Sequence, residues 1–135
     1  MTLTDTGPLV AMVDADDSAH TSCVAALSRM TRPLRTTWPC FTEAMYLVES
    51  AGGYPAQAEL WGYVEDGLVQ IHESSVAERQ RMRVLMHQYR DTPMDLADAS
   101  LVAAAEALGV TLIFTIDSDF RVYRLHRNTP FEIIP

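Results

Sequence analysis

The chain has 135 residues, 48% hydrophobic and 21% charged, a composition that fits one globular domain over residues 1–135 and excludes a disordered or fibrous segment. Its formal net charge of -8 excludes nucleic-acid binding by bulk electrostatics, so any phosphate ligand requires metal ions or a local arginine patch. All ten basic residues are arginine, which removes a Walker-A clamp, a Schiff base and the lysine of a receiver-type phosphoacceptor domain. The start carries no secretory n-region and no apolar run is long enough to cross a bilayer, so a cytoplasmic protein with no membrane partner is expected. Cys23 and Cys40 lack metal-ligand spacing and read as buried thiols, against a disulfide framework or a zinc site.

Strand propensity in Thr2 to Thr4 runs into Gly7 and Pro8, which puts Asp5 where a first strand gives way to a helix. In an open α/β sheet that edge binds ligands, although a carboxylate there also serves as a helix N-cap. Leu9 to Val13 suit a short first helix, ended by Asp14 to Asp17. Asp17 or Ser18 can cap a second, whose stripe is His20, Cys23, Val24 and Leu27, with His20 read as a packed, hydrogen-bonded histidine. Leu34 to Thr37 reads as a second strand, and Pro39 opens a helix closed by Gly52-Gly53. Glu43 lies one turn into that helix, which brings a second carboxylate to the edge occupied by Asp5, though the helix dipole alone accounts for a first-turn glutamate.

Pro55 to Asp66 suits a further helix and Leu68 to His72 a strand, establishing a βαβ rhythm. Ser75 to Arg90 is a polar helix with a buried stripe of Met82, Leu85, Met86 and Tyr89. Arg79, Arg83, His87 and Arg90 form another face, either solvated or, since guanidinium forks match phosphate oxygens, phosphate-contacting through Arg79, Arg83 and Arg90. The alanine-rich helix after Pro93 carries Asp95 and Asp98 in its first turn. Asp95 fits the cap; Asp98, followed by small and apolar residues almost to Glu106, is harder to assign to the surface. Val110 to Thr115 is the most strand-like run and delivers Asp117 and Asp119 to its C-terminal end, where an Asp/Ser turn is the alternative reading. Phe131 to Ile134 suits an edge strand, after a polar turn from His126 to Pro130.

Asp5, Glu43, Asp98 and Asp117 or Asp119 thus map to one edge of a parallel sheet. Two carboxylates about 4 Å apart repel by about 4 kcal/mol at an effective dielectric near 20, a large share of a domain's stability of about 5–15 kcal/mol. A cation relieves that repulsion, and an oxygen-only ligand set favours Mg²⁺ or Mn²⁺.

The order Asp5-Thr6-Gly7-Pro8-Leu9, Thr42-Glu43-Ala44, Asp95 to Leu101 and Thr115 to Phe120 closely resembles the PIN-domain ribonucleases, especially the VapC-like toxins of type II toxin-antitoxin pairs. The resemblance spans nearly the whole chain. It implies a three-layer α/β/α domain with a central, mainly parallel sheet, dependence on Mg²⁺ or Mn²⁺, endonucleolytic cleavage of RNA, a homodimer and a cognate antitoxin protein as inhibitor. Carried over by position, Asp5, Glu43 and Asp98 match the first three acids of the family pattern and Asp117 the fourth. Asp119 lies close enough to be the ligand instead, or to support it, and Thr6, Asp95 and Thr115 resemble supporting residues. The family also includes RNA-processing nucleases, and a PIN-like scaffold that binds RNA or protein without cutting is a further alternative. A phosphatase of the haloacid-dehalogenase type needs an aspartate two residues after the first, where this chain has Gly7.

Overall fold

The computed structural model describes residues 1–135. The chain begins with β1 (Thr2–Thr4), α1 (Thr6–Val13) and α2 (His20–Ala26), then β2 (Leu34–Thr37) and the long α3 (Trp38–Glu65). Next come β3 (Val69–His72), α4 (Val76–Gln88), α5 (Leu96–Leu108) and β4 (Leu112–Phe114). The tail holds a small antiparallel pair, β5 (Arg124–Leu125) and β6 (Thr129–Pro130), and finally β7 (Glu132–Ile134). Five strands form one parallel sheet in the order β3-β2-β1-β4-β7.

Helices cover both faces, giving a three-layer α/β/α domain. One core joins Leu3 and Ile113 of the sheet to Met82 and Leu85 of α4 and Leu101 and Val102 of α5. The other joins Leu34, Val69 and Phe114 to Leu9 and Met12 of α1, Cys23 of α2 and Phe41, Val48 and Leu60 of α3. Alternate residues of β1 and β4 thus point to opposite layers, as period-two side-chain geometry requires. No helix is long and apolar enough to cross a membrane.

Local sequence explains where most helices begin and end. Asp5 caps α1, its Oδ1 accepting from Thr6 N at 2.8 Å. Ser75 and Glu78 form a reciprocal capping box on α4, and Asp95 and Asp98 form another on α5. Gly109, at φ 66°, ends α5 in the left-handed conformation. Ala97 to Ala105 are all buried, because small side chains let α5 lie close against the sheet.

The two helices read on either side of Gly52-Gly53 are the two arms of α3, separated at Gly53, whose φ of 67° and ψ of -159° are open to glycine. Other expectations need correction. The second helix starts at His20 without a side-chain cap, since Asp17 Oδ1 is occupied by Ala19 N at 2.8 Å. Val24 faces solvent and Ala26 takes its place in the core beside Cys23, because a short helix packs only a narrow stripe. The turn expected from His126 to Pro130 is a hairpin connection whose last two residues pair with β5.

Candidate metal centre

The strand order sets the site. From β1 the chain moves outward through β2 and β3, then returns to place β4 on the other side of β1. The C-terminal ends of β1 and β4 therefore flank a topological switch point, where neighbouring connections diverge and leave a crevice. Asp5 leaves β1 into that crevice, Asp117 lies beyond β4, and Asp98 enters from the first turn of α5. Each of the three offers an oxygen within 4.8 Å of the other two. They line a cleft of about 240 Å³ together with Thr6, Gly7, Glu43, Leu47, Asp95 and Ile116.

Asp5 and Asp98 are only 7% and 8% exposed, while Asp117 is half-buried. Asp5 Oδ2 accepts from the Thr115 hydroxyl at 2.9 Å, and Thr115 Oγ1 accepts in turn from Asp117 N at 3.0 Å. One buried threonine thus aligns the carboxylates that follow β1 and β4. Asp98 Oδ2 accepts from Asp95 N at 3.3 Å and from the Tyr123 hydroxyl at 3.1 Å. That hydroxyl also lies 2.9 Å from Pro93 O, and its ring is held edge-on by Tyr89 and Phe120. Asp98 is therefore fixed from the helix side by the capping box and from the tail by a buried tyrosine.

The electrostatics carry the expected strain. Burial raises Asp5 from 3.8 to about 6, helped by the negative charges of Asp117 and Asp95 and opposed by the bonds from Thr6 and Thr115. Asp98 rises to about 7, again mainly through burial, with Asp95 and Asp5 adding repulsion. Burial and the adjacent Asp98 carboxylate push the Tyr123 phenol up. The Cys40 thiol is pushed up to about 12 by burial and by Asp5, so it is an inert neutral neighbour of the cluster.

These residues fit a divalent cation. The donors are all carboxylate oxygens within 4.8 Å of one another, and oxygens about 2.1 Å from one hard ion stand about 3 to 4 Å apart around it, inside that limit. Zinc ligands of the sulfur or imidazole type are absent from the cluster.

The other sequence candidates fall into three positions. Glu43 is exposed at the cleft rim, its Oε2 3.2 Å from the Thr6 hydroxyl, outside the tight trio. Asp95 lines the cleft as the α5 cap. Asp119 is absent from both the trio and the cleft lining; its backbone N–H donates to Asp117 Oδ1 at 2.9 Å, so it bears on the site through Asp117. Of the arginines, Arg79 and Arg83 border a separate cavity beside the cleft, whereas Arg90 Nη1 is bonded to His87 O at 2.7 Å. Tyr123, Ile116 and Leu47 were not among the site residues expected from the sequence. Tyr123 reaches Asp98 across 25 residues, a contact that no local pattern announces.

A family model described as PIN domain matches residues 2–125. Among curated proteins no sequence matches the chain. Several solved structures share its fold, among them the following three. Mycobacterium tuberculosis VapC20, described as a Sarcin-Ricin loop cleaving toxin, superposes with a TM-score of 0.83 at 15% identity, over 90% of this chain and 94% of its own. VapBC2 from Rickettsia felis, bound to a DNA fragment from its promoter, gives 0.71 at 14% identity over 99% and 98%. A toxin-antitoxin complex from Klebsiella pneumoniae gives 0.69 at 18% identity over 89% and 90%. With the family match covering all but the ends of the chain, and the acidic crevice at the switch point of a five-stranded parallel sheet, the chain belongs to the PIN domain family.

Proposed function

We propose that the protein is an endoribonuclease dependent on Mg²⁺ or Mn²⁺, acting as the toxin of a type II toxin-antitoxin pair and neutralised by a cognate antitoxin protein. The observation that carries the catalytic half is the convergence of Asp5, Asp98 and Asp117 on one point of the switch-point crevice. The toxin half is supported by the folds it resembles, among them a toxin that cleaves the Sarcin-Ricin loop and a toxin held in complex with its antitoxin. A cytoplasmic homodimer is the working form in this reading.

Asp5, Asp98 and Asp117 would hold the cation, with Asp119 supporting Asp117 and Thr6, Asp95 and Thr115 fixing the acids. A divalent ion held there would supply positive charge beside the scissile phosphate and would lower the pKa of water. The reaction is hydrolysis: a water oxygen bonds to phosphorus, the bond to the leaving ribose oxygen breaks, and that oxygen takes a proton from solvent to become a hydroxyl. Glu43 is the carboxylate suited to orient that water and accept its proton, being exposed at the rim and tied to Thr6. Thr115 and Tyr123 keep two acids in place while the substrate enters. Arg79 and Arg83 are the cations suited to the RNA backbone beside the cleft, with Arg90 just past the C-terminal end of α4.

Purified, partner-free protein incubated with a labelled structured RNA pool tests the reading. Discrete fragments in Mn²⁺ or Mg²⁺, absent in EDTA and absent with Asp5→Asn, are the expected result. Intact RNA despite saturating metal would instead favour a non-cutting scaffold.

A further inference from the structure

A second cavity, of about 530 Å³, opens beside the acidic cleft between the start of α3, the end of β3, and helices α4 and α5. Its walls are Trp38, Met82, Met86 and Leu96, with Arg79 and Arg83 on its α4 side. The volume falls in the range of about 300–1,000 Å³ typical of small-molecule sites. Trp38, Pro39 and Leu96 also line a shallower trough, which shares Glu43 and Asp95 with the acidic cleft. The three depressions therefore form one path along the C-terminal edge of the sheet.

Three features of the cavity point to its occupant. The Trp38 ring is 42% exposed yet fixed, since Nε1 donates to Glu73 Oε1 at 2.8 Å and the ring sits edge-on to Phe41 at 6.0 Å. It is a pre-organised stacking surface, and aromatic side chains bind bases at little entropic cost. Second, two cations border the cavity in a chain of net charge -8, and no carboxylate lines it. Arg79 is anchored through Nη1 to Ser74 O at 2.8 Å, and Arg83 takes part in no ion pair. An apolar slot next to unspent arginine charge suits a ligand with a flat apolar part and an anionic backbone.

The third feature is the floor. Ser100 Oγ donates to Ala97 O at 2.7 Å, so the proton in its 2.6 Å bond with Thr37 comes from Thr37. Both hydroxyl protons are then used, and the valence left on Thr37 Oγ1 is an acceptor. His72, whose Nε2 lies 2.6 Å from Glu78 Oε1, adds a second polar group to this floor beside the Thr37 acceptor.

Resting on the ribonuclease reading above, we propose that this cavity is a nucleobase subsite. It takes one unstacked base of the RNA strand, with preference for a base that bears an exocyclic amino group, while Arg79 and Arg83 hold the adjoining phosphate. The base donates its amino protons to the acceptor floor and stacks on Trp38.

Trp38 and Trp61 are the two tryptophans, so Trp61→Phe makes Trp38 the sole reporter and retains a ring against Phe41. In EDTA, 5′-AMP and 5′-CMP should quench its emission saturably, 5′-UMP about 5-fold more weakly or worse, and ribose 5-phosphate not at all. Arg79→Gln with Arg83→Gln should weaken AMP binding by about 10-fold. Absence of quenching by every nucleotide, an equal response to ribose 5-phosphate, or saturation by antitoxin-derived peptides alone would overturn the subsite. Cleavage supplies an independent arm. With RNA that the wild type cuts, an abasic residue walked through the sequence should lower kcat/KM about 10-fold or more at one fixed distance from the cut. A flat profile with cleavage intact overturns the subsite and leaves the nuclease standing; nucleotide binding without cleavage of any RNA does the reverse.

Discussion

Replacing Asp98 with Asn is expected to make the metal-free protein more stable at pH 8, although the residue is buried and bonded. Asp98 Oδ2 accepts from Asp95 N and from the Tyr123 hydroxyl, and a carboxamide oxygen accepts both. The substitution therefore removes a charge and little else. Burial, Asp95 and Asp5 hold the Asp98 carboxyl at about 7 against 3.8 for a free one, which at about 1.4 kcal/mol per unit is on the order of 4 kcal/mol. Because part of this rise is repulsion shared with Asp95 and Asp5, one substitution recovers about 2–4 kcal/mol of it. The sign follows from proton binding. The folded state holds the proton more tightly, so wild-type stability is complete below about pH 4 and falls as pH rises through 7. The variant should match wild type near pH 4, gain steadily above it, and level off past pH 7. Urea unfolding in EDTA at pH 4, 6 and 8 measures this directly. A gain of the same size at every pH, or a net loss at pH 8, would show that Asp98 is not electrostatically strained.

Other substitutions separate alignment from charge. Thr115→Val removes a donor to Asp5 and an acceptor for Asp117 N, and should cost about 1–3 kcal/mol by thermal unfolding in EDTA, with Thr115→Ser restoring most of it. Tyr123→Phe keeps the ring packing but takes a donor from Asp98, so its carboxyl should titrate higher still. Mn²⁺ affinity should then fall several-fold at pH 6.5 and recover above pH 8.5, as read by calorimetry. Gly7→Ala would place its Cβ 2.8 Å from Ile116 Cγ1, and Ile116, 48% exposed, can turn aside. Its cost in stability should stay within about 1 kcal/mol, while Mn²⁺ binding suffers more because Ile116 precedes Asp117.

Capping chemistry made much of the site legible in the sequence. Asp5, Asp95 and Asp98 stand at helix starts, where short polar side chains meet free N–H groups, and a cap after a parallel strand is also a sheet-edge ligand. The buried run around Ile113 and Phe114 likewise announced the strand that leads to Asp117. What stayed hidden depends on distant packing. Whether Asp117 or Asp119 faces Asp5 is decided by one short 3₁₀ turn, Ser118–Arg121, in which Asp117 caps Asp119 N. The cavity joins the exposed Trp38, at the start of α3, to β3, α4 and α5, which come much later in the chain. The break in α3 at Gly53 and the helical arm from Pro55 onward were both visible in the sequence.

Titration of the metal-free protein with Mn²⁺ at pH 6, in two buffers of different ionisation enthalpy, addresses the three-carboxylate centre most directly. With Asp5 at about 6 and Asp98 at about 7, a cation entering the trio must displace about one proton. A saturable site that releases about one proton, and that is lost in Asp98→Asn, is the expected result. Binding of unchanged affinity in Asp98→Asn, or no binding in wild type at millimolar Mn²⁺, would mean that Asp5, Asp98 and Asp117 do not form a metal centre.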